Sequence, residues 1–91
     1  MMNEEELKNT IKEIRLKIRE AIERCIDKDT TQAVKLLIAE SIIDVYFDGE
    51  IEDALFCLKR VRGILDCSME DKVVHAKRII DAFLEEHENE S

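Results

Sequence analysis

The sequence predicts an all-α protein that folds as an antiparallel four-helix bundle, with one domain spanning residues 1–91. Its 91 residues include no proline, two glycines and 4% aromatic residues, while 45% are hydrophobic and 40% are charged, a composition typical of helical bundles. Hydrophobic residues also recur at helical spacing in four successive segments, and capping residues separate these segments. We therefore expect helices at about 3–27, 31–48, 50–66 and 69–86.

The first helix carries one apolar stripe on an otherwise charged surface. Asn3 is placed to cap it, ahead of three glutamates that the helix dipole favours in a first turn. The stripe either packs inside the bundle or forms the seam of a dimer, and on the second interpretation it is a candidate interface. The candidate residues on this helix are Leu7, Ile11, Ile14 and Ile18.

The second helix contains the most apolar stretch of the chain, AVKLLIAESIIDVYF at residues 33–47. A helix that is apolar nearly all round must be covered by other helices. Because a membrane span needs about 20 mostly apolar residues, the covering must come from the rest of the chain or from a second copy. Its acidic residues Glu40, Asp44 and Asp48 fall with Ser41 in one stripe about 100° wide, which either faces water or meets bases on a neighbouring helix.

Short turns connect the second helix to its neighbours. Asp29 and Gln32 have the spacing of a capping box at its start. Gly49 follows its end, where a left-handed residue is common. The short turn at Gly49 predicts that the second and third helices form an antiparallel hairpin.

The third helix adds a predicted ion pair and a second candidate interface. Arg62 borders its apolar face, within reach of Asp44 or Glu40, so we expect a structural ion pair among these three residues. Gly63 costs a helix about 1 kcal/mol relative to alanine, which suggests a close backbone approach or a bend. Phe56 lies one heptad earlier on the same side, so Phe56 and Gly63 are predicted to form a knob and a notch for another helix or subunit.

The fourth helix is expected to begin at Ser68, which has Asp71 three residues later. Residues 87–91 are acidic and lack an apolar anchor, so this tail is predicted to fray. The predicted core stripe of the helix is Met69, Val73, Ala76, Ile80, Phe83 and Leu84.

The charge balance argues against nucleic acid as a partner. The chain has 22 acidic and 14 basic residues and a formal net charge of -8, so it repels the phosphate backbone. The opening MMNEEELKN has no apolar signal region, and we expect a cytoplasmic location without a membrane partner.

The sequence contains no recognisable catalytic or metal-binding constellation, so we predict no catalytic residues, metal or cofactor. The cysteines Cys25, Cys57 and Cys67 are interpreted as small, mostly buried hydrophobic residues. A thiol-dependent activity would need Cys57 or Cys67 to meet His75 across an interface.

The segment ALFCLKRVRGILDC at residues 54–67, with the preceding AESIIDVYFDGEIED, resembles the helical hairpin of the archaeal domain-of-unknown-function family 357. That family has an A-E-S helix, a G-D turn and then A-L-x-x-I-x-x-A-x-G-L-L-D-A. The resemblance implies an archaeal cytoplasmic helical protein without an established activity. The matching positions are Ala54, Leu55, Leu58, Val61, Gly63, Ile64, Leu65, Asp66 and Cys67.

Together these features predict a small helical protein that binds another protein or itself, with a homodimer as one form. One alternative is a HEPN-like RNA-associated protein or a thiol-dependent enzyme accessory. In some HEPN bundles an arginine is followed closely by a histidine, whereas here no histidine follows Arg60 and Arg62 before His75. A second alternative is a small-ligand site between helices around Glu40, Asp44 and Arg62, and the small molecule is left open.

Overall fold

The computed structural model describes residues 3–66 and 68–88, and these residues form four helices and no strand. Each helix packs on two others in a closed ring, α1 on α2, α2 on α3, α3 on α4 and α4 on α1. Short turns join consecutive helices, which makes neighbours antiparallel. The predicted fold class is confirmed, and each predicted helix end lies within two residues of the observed one. The helices are α1 at Glu4–Cys25, α2 at Thr30–Tyr46, α3 at Ile51–Leu65 and α4 at Asp71–Glu88.

The core is built from the apolar stripes of all four helices. Leu7, Ile11, Ile14 and Ile18 of α1 are at most 4% exposed and lie in the same cluster as the buried residues of α2, α3 and α4. In this fold they therefore pack inside their own chain, which is the intramolecular alternative for this stripe, and they are not on the surface as a dimer seam.

Side-chain caps and one glycine define the turns where the sequence places them. The Asn3 Oδ1 atom accepts a hydrogen bond from the Glu6 backbone N–H at 2.8 Å. The Asp29 Oδ1 atom likewise accepts from the Gln32 backbone N–H at 3.1 Å. Gly49 has φ 89, the left-handed conformation that glycine adopts without strain.

The start of α4 differs from the prediction. Glu70, not Ser68, satisfies the first backbone donors, because its Oε2 atom accepts from the N–H groups of Lys72 at 2.7 Å and Val73 at 3.3 Å. Ser68 is buried and its Oγ atom lies 2.6 Å from the Gln32 Nε2 donor. Met69 precedes the helix and is 87% exposed, so it lies outside the core stripe.

The end of α4 extends beyond the predicted boundary, to Glu88. His87 is 5% exposed, and its ring lies 4.4 Å from the Phe83 ring. This contact holds the last turn of α4 on the bundle, although residue 87 was predicted to belong to a frayed tail. Residues 89–91 of that tail, and Cys67, lie outside the described residues.

Candidate protein-interaction face

One side of α2 is in the core and the opposite side is open. Ala33, Leu36, Ala39 and Ile43 are at most 3% exposed and face α1 and α3. The outward side also carries large apolar residues, and these are exposed because a helix in a four-membered ring has only two close neighbours. The exposed fractions are Val34 49%, Leu37 38%, Ile38 50%, Val45 73% and Tyr46 53%.

Aromatic contacts extend this open side onto α3. The Tyr46 and Phe56 rings meet edge to face, with centroids 6.0 Å apart and an interplanar angle of 70°. The Arg60 guanidinium lies 4.9 Å from the Phe56 ring centroid. We call the α2 face the open surface made by Val34, Leu37, Ile38, Ser41, Ile42, Val45 and Tyr46 of α2 with Phe56 of α3.

The α2 face is a substantial apolar patch. Applying the exposed fractions to whole side chains gives on the order of 500 Å² of apolar surface, the size of the largest patch on a typical monomeric protein, which is often functional. No charged residue belongs to the face, although Lys35 and Asp44 flank it on α2 and Arg60 flanks it on α3. Ile42 is half-buried, and with its neighbours it lines a shallow surface groove.

The acidic residues of α2 lie at its boundary with α1, where each pairs with an arginine. Glu40 is 7% exposed and its Oε1 atom lies 2.5 Å from the Arg19 guanidinium. One turn later the Asp44 carboxylate lies 2.7 Å from Arg15, and this contact raises the pKa of Arg15. The predicted acidic stripe is therefore split between an ion-paired boundary and Ser41, which lies on the α2 face.

Arg62 does form an ion pair, but its partner was predicted wrongly. Its guanidinium lies 3.4 Å from Asp81 of α4. Arg62 is on the side of α3 that faces α4, whereas Glu40 and Asp44 are on the side of α2 that faces α1. The three residues of the predicted pair are therefore not brought together.

The predicted notch at Gly63 is open to solvent. A methyl group at this position would have no heavy atom within 4 Å, so no helix of the chain approaches Gly63 closely. Phe56 is 49% exposed. The knob and notch remain candidates for a contact with another subunit.

Two thiols lie where nucleophilic chemistry is disfavoured. Cys25 and Cys57 are 7% and 0% exposed, and burial raises the pKa of both thiols. A reactive thiol needs a lowered pKa and access, and His75 is exposed on α4. Within residues 3–66 and 68–88, no three His, Cys, Asp or Glu side chains are grouped so that they could hold a metal ion.

Two other concavities contain polar side chains that pair with one another. A groove of ≈ 410 Å³ lies between the start of α1 and the end of α2, where Lys8 pairs with Glu4 and Arg15 with Asp44. A pocket of ≈ 170 Å³ at the opposite end of α2 is lined by Gln32 and Ser68, which bond to each other. Within the described part of the chain, no helix combines the length and the apolar character needed to cross a membrane.

Comparisons with known proteins supply no relative for this chain. The sequence matches no protein-family model, no curated protein and no solved structure at a significant level. The resemblance of the helical hairpin at residues 38–67 to family 357 therefore stays a prediction.

The sequence signalled the α2 face without identifying it. A helix that is apolar nearly all round predicts cover on every side, and the alternative that a second copy supplies part of the cover was left open. Val34, Leu37, Ile38 and Val45 were not singled out as interface residues, because periodicity alone does not tell which apolar side of such a helix meets the core.

Proposed function

We propose that this protein is a non-catalytic interaction module whose binding surface is the α2 face. The observation that carries the proposal is the continuous apolar surface from Val34 to Tyr46, extended by Phe56. Removing such a surface from water is favourable by roughly 25 cal/mol per Å² of apolar area buried. The proposed partner is a protein, either another molecule of this chain or a different one.

The form of the surface favours a protein over a small molecule. Small ligands bind in concave pockets that bury most of their surface, whereas the α2 face is a shallow groove along one helix. An amphipathic helix that bound along this groove would contact side chains from the Val34 end of α2 to the Tyr46 end, as in helix-in-groove recognition.

The electrostatics disfavour RNA as the partner. Base stacking on Tyr46 or Phe56 would need a groove lined by cations to neutralise phosphates, whereas the α2 face has no charged residue and is flanked by the acidic Asp44 as well as by Arg60. The net charge of -8 opposes phosphate at long range. Together these points favour the interaction module over the HEPN-like alternative.

The proposal is tested by placing a charge in the centre of the face. Ile38→Glu adds one carboxylate where Ile38 is 50% exposed, and Leu16→Glu adds the same charge on α1 where Leu16 is 55% exposed. Both are exposed helix positions, so each variant should fold with a stability within about 0.5 kcal/mol of wild type. Circular dichroism checks this.

Immobilised wild type and both variants are then incubated with the soluble proteins of the source organism, supplemented with the chain itself. We expect Ile38→Glu to lose a bound protein that wild type and Leu16→Glu both retain. If the three samples bind the same proteins, or none, the α2 face is not a binding surface and the proposal is wrong.

A further inference from the structure

We infer that the partner of the α2 face is a second copy of this chain, with the two α2 helices packed antiparallel about a twofold axis between Ala39 and Glu40. The inference rests on the proposed function, since it names the partner of the same surface. Its first support is the pattern of the face, and its second is the match between the face and the area that a dimer needs.

The pattern of the face is similar in both chain directions. Of the three pairs of face residues at equal distances from the midpoint between Ala39 and Glu40, two join apolar residues of similar size, and the third joins a large apolar residue to a small polar one. The seam positions 34, 38, 41 and 45 are separated by four, three and four residues, the spacing of a heptad seam. The paired positions are Val34 with Val45, Leu37 with Ile42, and Ile38 with Ser41.

An antiparallel arrangement fills the seam of such a pair. Val34 of each copy lies level with Val45 of the other, and Ile38 of each copy lies beside Ser41 of the other. The serine side chain is small, so the two backbones can approach closely at the centre while Ile38 fills the space above it. Two copies of Leu37 and two of Ile42 flank the seam on its two sides.

A parallel arrangement would fill the same seam poorly. Each residue would then meet its own equivalent, so Ser41 would face Ser41 and leave a gap in the centre. A gap that loses apolar contacts weakens packing. The antiparallel register instead gives a closed, isologous contact in which each copy uses the same surface.

The size and charge of the face also suit a second copy. Its exposed apolar side chains, on the order of 500 Å², together with Ile42 and the stems of Lys35 and Arg60, reach about the 600 Å² per partner at the lower end of specific interfaces. Tyr46 and Phe56 lie beyond Val45 and reach the first turn of the other copy's α2. No charged residue enters the seam, so pairing buries no uncompensated charge.

The register is tested with cysteines at the two ends of the seam. In the antiparallel dimer Val34→Cys of one copy lies next to Val45→Cys of the other, within the Cβ separation of about 4 Å that a disulfide needs. In an antiparallel dimer of two Val34→Cys chains, or of two Val45→Cys chains, the new cysteines lie about 16 Å apart along the helix axis. This distance follows because eleven residues separate positions 34 and 45, at a rise of 1.5 Å each.

The two variants are oxidised separately and as a mixture, and products are separated on a non-reducing gel and mapped as peptides. Wild type controls for the native cysteines, and a mixture of Leu16→Cys with Val45→Cys controls for random collision. We expect the mixture of Val34→Cys and Val45→Cys to give at least about tenfold more 34–45 disulfide than the collision control gives 16–45 disulfide.

A disulfide between two copies of Val34→Cys would overturn the antiparallel register, and so would a wild-type dimer that gives no 34–45 product. A wild type that stays monomeric at all concentrations would overturn the second copy as partner. In that case the proposed function still stands if Ile38→Glu loses a different bound protein, and it falls as well if nothing is lost.

Discussion

The two ion pairs between α1 and α2 allow a test of how burial changes the contribution of an ion pair to the free energy of unfolding. Arg19 with Glu40 and Arg15 with Asp44 join the same two helices one turn apart. They differ in exposure, since the Glu40 side chain is 9% exposed and the Asp44 side chain is 45% exposed, while both arginines are about half exposed. The Glu40 Oε2 atom is buried and accepts no hydrogen bond from the described residues.

Arg19→Met removes the direct ion-pair partner of Glu40 and leaves its mostly buried carboxylate without that hydrogen bond. Breaking a fully buried pair costs about 3–5 kcal/mol, and the half-exposed arginine side admits water, so we expect roughly 1–3 kcal/mol here. The matched variant Arg15→Met removes an exposed pair and should cost no more than about 1 kcal/mol. The double variant Arg19→Met with Glu40→Met should return to within about 1 kcal/mol of wild type.

Urea unfolding followed by circular dichroism measures these differences at one fixed protein concentration, since any self-association makes apparent stability depend on concentration. With a slope of roughly 1 kcal/mol per molar urea, Arg19→Met should lower the midpoint by about 1–3 M. Equal midpoints for Arg19→Met and Arg15→Met, or a double variant less stable than Arg19→Met alone, would refute the reasoning from burial.

Three further predictions concern the glycines, the thiols and the salt dependence. Gly63→Ala should stabilise the fold by up to about 1 kcal/mol, because no other part of the chain lies near the new methyl group. Gly49→Ala should destabilise it by about 1–2 kcal/mol, because φ is 89 at this position. Thermal unfolding should therefore show melting temperatures shifted in opposite directions, and a lower melting temperature for both variants would contradict the open site at Gly63. Cys25 and Cys57, buried with raised pKa values, should react with a thiol reagent at neutral pH at least about 100-fold more slowly than in denaturant, and rapid native labelling of either would revive the thiol alternative. The raised thiol pKa values stabilise the fold below the unfolded pKa of about 8.5, and this contribution is lost as pH rises through the folded values. Added salt should strengthen self-association, because it screens repulsion between two chains of charge -8, and a weaker dimer in salt would point to ion pairs in place of an apolar seam.

Periodicity and capping were enough to predict the four helices, because both are local properties of the chain. Asn3 and Asp29 cap their helices through backbone groups three residues away, so a short sequence window contains the whole interaction. The apolar stripe of Leu7, Ile11 and Ile14 likewise identified a buried face. These features depend little on how the helices are arranged.

The pairing of charges and the open side of α2 could not be predicted in the same way, because both depend on which helices are neighbours. Arg62 was assigned to Glu40 and Asp44, yet α3 presents it to α4, where Asp81 lies. For α2, the sequence showed more apolar surface than one core side requires. Only the ring arrangement, in which α2 contacts α1 and α3, shows that Val34, Ile38 and Val45 are left uncovered.

Sedimentation equilibrium of wild type and Ile38→Glu, compared across protein concentrations up to the order of 100 µM, tests the central claim most directly. We expect wild type to move from the 10.6 kDa monomer toward twice that mass as concentration rises. Ile38→Glu should dissociate at least about 100-fold more readily, because two carboxylates would be buried at the centre of the seam, while Leu16→Glu should behave as wild type. Identical masses for wild type and Ile38→Glu at every concentration would contradict self-association through the α2 face.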